Sequence, residues 1–513
     1  MSKQTIDYTN IPKEKFQFRQ QDENIHDKKF DTEPVGYFKD AMIRFSRNKS
    51  SVIATVIIAV LLLFAIFAPI LFANSYNTAL TDTSYLQYTR LLPKCEALSW
   101  LGWDGCKKET MSKDNYNYFR AIGVETGLSP IVEVYKENYV DPSSLSGSTF
   151  YDVKTDSYYK NGMTYMTLTP AEYKKIQEWQ NETGIQVIYP AVDSSKIENN
   201  SMKTDANIWY ECNIKGRPVL KNGQYVNIYS TTANDGGYNS TRISGDDGSL
   251  KYAVATGSST AISYKVRVHL YTYFQFRYGF EPEFLFGTNA YGQDIITRLA
   301  SGARFSFILA ITISAINLFI GAIYGAIEGY YGGAIDMVME RFSDILSGVP
   351  FIVVTSLFQL HLSQKVGIVP ALLFAFVLTG WVGMASRVRM QFYRFKNQEY
   401  ILAARTLGAS DARLMFKHIF PNAIGTIITG SILVIPSVIY SESNLTYLGI
   451  VNLDSSTMTS VGSMLSAGQP LLTTYPHVIM FPALFISLLM ISFNLFGNGL
   501  RDAFNPSLRG TED

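Results

Sequence analysis

Three cysteines, five histidines and a scatter of carboxylates are the side chains in this 513-residue chain that could do covalent, metal or acid–base chemistry. Their spacing argues against most of it. Cys95, Cys106 and Cys212 share one polar stretch, where Cys95 and Cys106 would close a small loop as a possible disulfide, with free or buried thiols as the equal alternative. His26, His269, His361, His418 and His477 lie apart with no ligand spacing, so no metal site is expected. No G-x-x-x-x-G-K-[ST] loop occurs, so the Lys and backbone cradle that ATP hydrolysis needs are missing. Nor is there a G-x-S-x-G elbow or an H-E-x-x-H helix, and the scattered Asp and Glu of the polar stretch read as a solvated surface. The expectation is a chain that is not an enzyme and binds no cofactor of its own. Within the apolar stretches the polar groups are Asn317, Glu328, Gln359, His361, Glu442 and Asn494. Glu328 and Glu442 fall at predicted helix ends, where they can reach headgroups or water. The lack of a charged chain across the midplane argues against proton-coupled transport.

The most informative segment runs from Gln398 to Asn422. Residues 398 to 407, with Glu399, Leu402 and Arg405, predict one helix that stops at Gly408, because glycine takes the left-handed conformation at no side-chain cost. Ser410 can cap a second helix, with Asp411 favourable at its positive end, and Pro421 marks an exit into the membrane. Ala403 and Ala404 give the first helix a smooth face on which another protein's groove could pack, followed by Leu407 and Ala409 at the turn. An ordinary basic loop is the plain alternative.

Six charge-free apolar stretches must position that segment: about 51–73, 305–327, 345–362, 368–386, 423–441 and 477–496. Each approaches or exceeds the roughly 17 to 25 residues that span a bilayer as a helix. The first holds fifteen Val, Ile, Leu and Phe residues, which favour insertion by roughly 5 to 9 kcal/mol. It is too long and too far from the start for a cleaved signal, so it reads as an anchor. The connection 387–422 carries Arg387, Arg389, Arg394, Lys396, Arg405, Arg413 and Lys417, whereas 443–475 carries no Lys or Arg. The positive-inside rule therefore puts 387–422 and both termini in the cytoplasm and 74–304 outside. The near balance of 44 basic and 43 acidic residues leaves no general field for nucleic acid.

Residues 1–50 read as a partly disordered cytoplasmic tail with a short interfacial helix at Tyr37 to Phe45. Residues 74–285 read as a folded, strand-containing outer domain, with alternating runs at Tyr225 to Tyr229, Tyr252 to Ala255 and Tyr264 to Tyr273. Turn signals stand at Asn222-Gly223, Asp235-Gly236 and Asp247-Gly248, and a helix is predicted near Pro170 to Asn181, capped by Thr169. A structureless loop of this length would be improbable.

Ala403-Ala404, Gly408 and Pro421, thirteen residues after the glycine, resemble the "EAA" loop of type I ABC importer permeases, with Leu402 in place of the usual leading Glu. Phe286-Gly287-Thr288-Asn289-Ala290-Tyr291-Gly292-Gln293-Asp294 is similar to the F-G-T-D-x-x-G-R-D signature of dipeptide, oligopeptide and nickel permeases. Gly287, Thr288, Gly292 and Asp294 match it, while Asn289 and Gln293 depart. Gly329-Tyr330-Tyr331-Gly332-Gly333, Arg341-x-x-Asp344, Pro350, Leu448-Gly449, Gly462 to Leu465 and Asn494 to Pro506 follow in the family's order. The chain over 286–509, with its first helix, thus resembles a C-type permease of the oligopeptide, dipeptide and nickel ABC importers. The resemblance implies a membrane all-α fold of six transmembrane helices, here with an α+β extracellular inserted domain that the family does not share. It implies a second homologous permease subunit, two ATP-binding subunits that hold ATP and Mg and dock on the loop, and a substrate-binding lipoprotein or periplasmic binding protein outside, all in a bacterial cytoplasmic membrane. Oligopeptides are the cargo it favours, with dipeptides or nickel as alternatives. A membrane-anchored surface receptor is the reading of a different class.

Overall fold

A computed structural model describes residues 37–78, 83–140, 148–197, 200–210, 218–225, 242–243, 245, 247, 249–258, 261–455 and 458–504. The tail before Tyr37, His26, Cys212, Asp235-Gly236, Gly248, most of the 225–229 run and Asn505-Pro506 lie outside the described residues. Among the described residues, five helices are long and apolar enough to cross a membrane: a first helix, Lys49–Leu71; a central helix, Ile295–Tyr331; Ile368–Phe395; Asp411–Tyr447; and a last helix, His477–Ala503. Between the second and third lies a pair, Gly333–Ser347 and Phe351–Val366, bent by 71°. The stretch expected as a span at 345–362 therefore straddles a break. Pro350 explains it, because its ring removes an N–H and disfavours helical backbone at Val349. The expected loop 387–422 also shrinks, since helix persists to Phe395 and resumes at Asp411.

The central helix is the hub. Gly321, Gly325 and Gly329 recur every four residues and so line one face. A Cβ on them would lie 2.8 Å from the Trp381 carbonyl oxygen, 2.2 Å from that of Ala385 and 2.7 Å from that of Arg389. With no side chain in the way, the helix that carries Val382–Phe395 packs backbone against backbone, as small residues allow in a membrane where apolar burial alone drives little association. A core of Ile295, Leu299, Phe307, Ile313, Leu372, Ile439, Phe481 and Leu489 joins the central helix to the third, fourth and last spans. The short helix Tyr37–Arg47 seats Ala41 and Phe45 on Leu500, Ala503 and Phe504 of the chain's other end.

The segment between the first two spans is strand-bearing. β1 (Cys106–Ser112), β2 (Ile131–Val140) and β3 (Thr149–Asp156) form an antiparallel sheet with β3 central. Further along come β4 (Met163–Leu168), β5 (Ile188–Tyr189), β6 (Leu220–Lys221), β7 (Gln224–Tyr225), β8 (Ala253–Ser258) and β9 (Ala261–His269). β9 pairs with β4 on one edge and with β5 and β8 on the other. β6 and β7 turn at Asn222-Gly223, both at positive φ, as that dipeptide predicts. The predicted helix appears as Pro170–Thr183 with a Thr169/Glu172 capping box, and its Ile176 covers Val187, Val266 and Val268. The alternating run at Tyr264 to Tyr273 stays strand only to His269. Leu270–Tyr278 turns helical, and Leu270 and Phe274, one helical turn apart, both enter an aromatic cluster around Tyr76, Tyr88 and Phe284.

Candidate functional site

The helix Glu399–Thr406 projects from one end of the bundle as a short lever. Gly408 closes it at φ +84, where a side chain would be strained, and its N–H reaches the Arg405 carbonyl at 3.0 Å. Ser410 occupies the following cap position, but its hydroxyl accepts no capping bond. Asp411 instead accepts a 2.6 Å hydrogen bond from the Tyr330 hydroxyl, which in turn accepts one from Arg405 at 3.2 Å. Pro421 ends no helix. It sits at the head of Phe420–Ile432 after a wide π turn, Leu414–Ile419, which accommodates the missing N–H and the bulk of the ring. The lever thus leads through the Gly408 turn into the Asp411–Tyr447 helix and is clamped to the end of the central helix.

Its two faces differ. Ile401 is fully buried against Leu414 and Ile419, with Ala404 and Ala409 packed beside them. Glu399, Leu402, Ala403, Arg405, Leu407 and Phe416 are exposed, Leu407 at 88%. The expected smooth face of paired alanines is therefore split: Ala403 looks out and Ala404 looks in. Leu407 and Phe416 enlarge the outward apolar surface.

Behind the lever, Arg389 binds Asp336 through Nε at 2.6 Å and Nη2 at 2.9 Å, and Glu340 through Nη1 at 2.8 Å. Glu328 lies 3.6 Å from Nε, Tyr393 donates to Asp336, and Lys396 donates to the Gly329 carbonyl at 2.9 Å. One guanidinium so ties together the central helix, the first arm of the bent pair and the helix leading to the lever, with the planar fork suited to paired carboxylates. Sequence reading missed Tyr330, Asp336, Glu340 and Arg389 as a group. The four-residue spacing of Gly321, Gly325 and Gly329 was the signal that would have placed their two helices together.

At the opposite end, Gly287, Thr288, Gly292 and Asp294 build a clasp rather than a reactive centre. The Thr288 hydroxyl donates to the Tyr88 carbonyl at 2.6 Å and accepts from the Leu91 N–H at 2.8 Å. Gly287 and Gly292 stand at φ +75 and +80, pressed against the backbone of Leu91 and Tyr85. Asp294 caps the central helix through the Ile296 N–H at 3.2 Å and the Thr297 hydroxyl at 2.7 Å, and burial pushes its carboxyl up to about 6. Asn289 and Gln293, the two departures, bond to each other at 3.2 Å. An amide pair stands where the signature has an acid and a base.

The strand-bearing segment is fastened to this end. Trp103 packs on Phe481 with ring centroids 6.4 Å apart, Phe286 stacks on Phe481 at 4.0 Å, and Lys107 donates to the Thr474 carbonyl at 3.1 Å. Nearby, a cavity of about 320 Å³ is lined by Tyr291, Thr446, Gly449, Asp454, Ser463 and neighbouring residues. Cys95 and Cys106 are free thiols, so the possible disulfide is not formed; burial, with the nearby Asp156 and Asp104 charges, pushes the Cys106 thiol up to about 11. Among the described residues no cluster of His, Cys, Asp and Glu could hold a metal ion.

Both membrane carboxylates depart from expectation. Glu442 reaches no headgroup: it is 1% exposed and accepts hydrogen bonds from Ser306 at 3.0 Å and Thr446 at 3.1 Å. Glu328 is 3% exposed and faces Arg389.

A bundle of long apolar helices, broken once by proline, clasped at one end and ending in a clamped lever at the other, defines a polytopic membrane permease subunit. Residues 317–510 match the family described as binding-protein-dependent transport system inner membrane component, and residues 36–93 match the N-terminal TM domain of oligopeptide transport permease C. The chain is 43% identical over 224 residues to the oligopeptide transport system permease protein OppC of Bacillus subtilis, covering 44% of this chain and 72% of that one. It is 40% identical over 225 residues to the dipeptide permease DppC of the same organism (44% and 69%) and 34% identical over 224 residues to OppC of Escherichia coli (44% and 72%). The chain belongs to this family, the C-type permeases of the oligopeptide and dipeptide ABC importers, and is a pore-forming importer subunit.

Proposed function

We propose that this chain forms half of a pore that carries peptides, oligopeptides first among them, into the cell while partner subunits hydrolyse ATP with Mg. The observation that carries the reading is the lever. Its outward Leu402, Ala403, Leu407 and Phe416 offer an apolar surface to an ATPase groove, while Arg405 and, past the turn, Asp411 tie it to Tyr330 of the central helix. ATP binding then draws the ATPases together, and the lever biases a two-state pore. The relatives named for oligopeptide and dipeptide transport support the cargo class.

The same reading puts the lever and both termini in the cytoplasm, since Arg387, Arg389, Arg394, Lys396, Arg405, Arg413 and Lys417 cluster there. The 74–285 segment is then an outer domain, fused to the pore mouth, that docks a substrate-binding protein or gates the entrance. The Trp103, Phe286 and Lys107 contacts support a rigid seat rather than a loose tether. The second permease subunit would complete the pore, and the polar exposed residues Asn422, Thr426, Ser437, Tyr440, Asn444 and Tyr447 on one side of the Asp411–Tyr447 helix supply its wet wall.

Peptide uptake by the reconstituted complex is the test. Gly408→Pro removes the N–H given to Arg405 and forbids positive φ, so uptake is expected to fall at least tenfold with membrane insertion unchanged. Wild-type uptake in that variant refutes the lever.

A further inference from the structure

At the lever end, a cavity of about 290 Å³ opens between three helices. Arg387, Gln391 and Arg394 line it from one helix at i, i+4 and i+7, hence from a single face. Thr426, Thr429, Gly430 and Leu433 line it from the Asp411–Tyr447 helix, and Arg501 and Phe504 from the end of the last helix. Three arginines line the cavity, with no carboxylate among the lining residues. Arg387 spends one N–H on the Gly430 carbonyl at 3.0 Å, which aims the side chain inward. Such a cavity repels cations and concentrates anions, because low-dielectric walls focus the field of like charges.

Its place in the fold says which anion. Thr426 belongs both to this cavity and to the polar side formed by Asn422, Ser437, Tyr440 and Asn444. On the peptide-pore reading that side is the wet wall, whereas exposed Leu484, Leu488, Ile491 and Leu495 on the last helix form an apolar surface suited to acyl chains. The cavity is therefore the inner end of the polar path rather than a notch in the lipid face. We infer that Arg387, Arg394 and Arg501, with Gln391 beside them, receive the α-carboxylate of a peptide arriving at the inner end of the pore, and that the same three charges reject divalent metal cations such as nickel. The inference rests on the peptide-pore reading and deepens it: the discriminating group of the cargo is its carboxylate end.

The experiment uses proteoliposomes of the full transporter with its binding protein, and pairs of peptides that differ only in a free acid or an amide at the C-terminus. Each pair is chosen for equal affinity for the binding protein alone, a step this chain does not enter. Wild type is expected to favour the acid. Arg387→Gln, Arg394→Gln and Arg501→Gln each lower acid uptake about two- to fivefold, the range of a solvent-exposed ion pair, and leave the amide unchanged. Arg387→Lys retains most of the preference, and Lys365→Gln, distant from the cavity, changes neither peptide. Equal losses on acid and amide, or no change on either, overturn the inference while leaving peptide transport standing. So does loss of co-purified anionic phospholipid in the Gln variants with an unchanged acid-to-amide ratio, which would assign the arginines to a headgroup. If wild type moves neither peptide, the peptide-pore reading itself falls.

Discussion

Adding one methyl group at Gly325 tests whether the central helix and its partner are held by backbone contact. In Gly325→Ala the new Cβ would stand 2.2 Å from the Ala385 carbonyl oxygen and 2.9 Å from both the Ala385 carbonyl carbon and the Val388 Cβ. The helices must part by about 1 Å, a gap at which each facing contact forfeits a quarter to a half of its attraction. Overpacking of this kind costs about 1–3 kcal/mol, against about 1 kcal/mol gained from alanine's helix propensity. The net expectation is a loss of up to about 2 kcal/mol. Parting also pulls Arg389 out of register with Asp336 and Glu340, so uptake falls more than stability. Gly383→Ala is the internal control, because a Cβ there meets nothing within 4 Å; it should be neutral or stabilising by up to about 1 kcal/mol. Detergent or thermal unfolding of the purified transporter measures both. A Gly325→Ala protein as stable as Gly383→Ala refutes the close-packing argument.

Leu407→Asp alters an exposed side chain, so stability should move by no more than about 0.5 kcal/mol while co-purification of the ATPase subunits drops; full co-purification would remove Leu407 from the docking surface. His269 is pushed down to about 4 by burial. Because its folded pKa lies below the unfolded value of about 6.5, its contribution is present above 6.5 and lost as pH falls through 4, in total about 3 kcal/mol. Asp294, raised to about 6, runs the other way, its contribution present below about 3.8 and lost as pH rises through 6. Melting curves of His269→Gln against the parent between pH 4 and 7 isolate the histidine, and parallel curves would show that it does not titrate. Asn289→Asp with Gln293→Arg should restore an ion pair at the clasp and keep uptake, whereas Gln293→Arg alone should lower it; an additive double variant would mean the two side chains do not act together.

The lever was legible because its signals are local: Gly408 needs left-handed backbone whatever surrounds it, and Glu399 to Thr406 need only their own turn of helix. Where a residue's role depends on distant partners, local reading failed. Glu442 looks like a helix-end carboxylate until Ser306, 136 positions earlier, is brought against it. Asn289 and Gln293 look like two lapses from a signature, and only their mutual hydrogen bond makes them one exchange. The largest thing hidden from local reading is the connection between the two ends of the permease. The central helix has 37 residues, about 55 Å at 1.5 Å per residue, with Tyr330 against the lever at one end and Asp294 in the clasp at the other. Ile295, Leu299, Phe307 and Ile313 bury its first part in the core, and Gly321, Gly325 and Gly329 pack its last third against the neighbouring helix, so it has little freedom to bend. On the proposed reading, a push at Arg405 and Asp411 is carried along this helix toward Thr288 and Gly292, where the strand-bearing segment is fastened. On the proposed reading the lever and the clasp are two ends of one rod, and a change that softens the rod at Gly325 should uncouple them without touching either end.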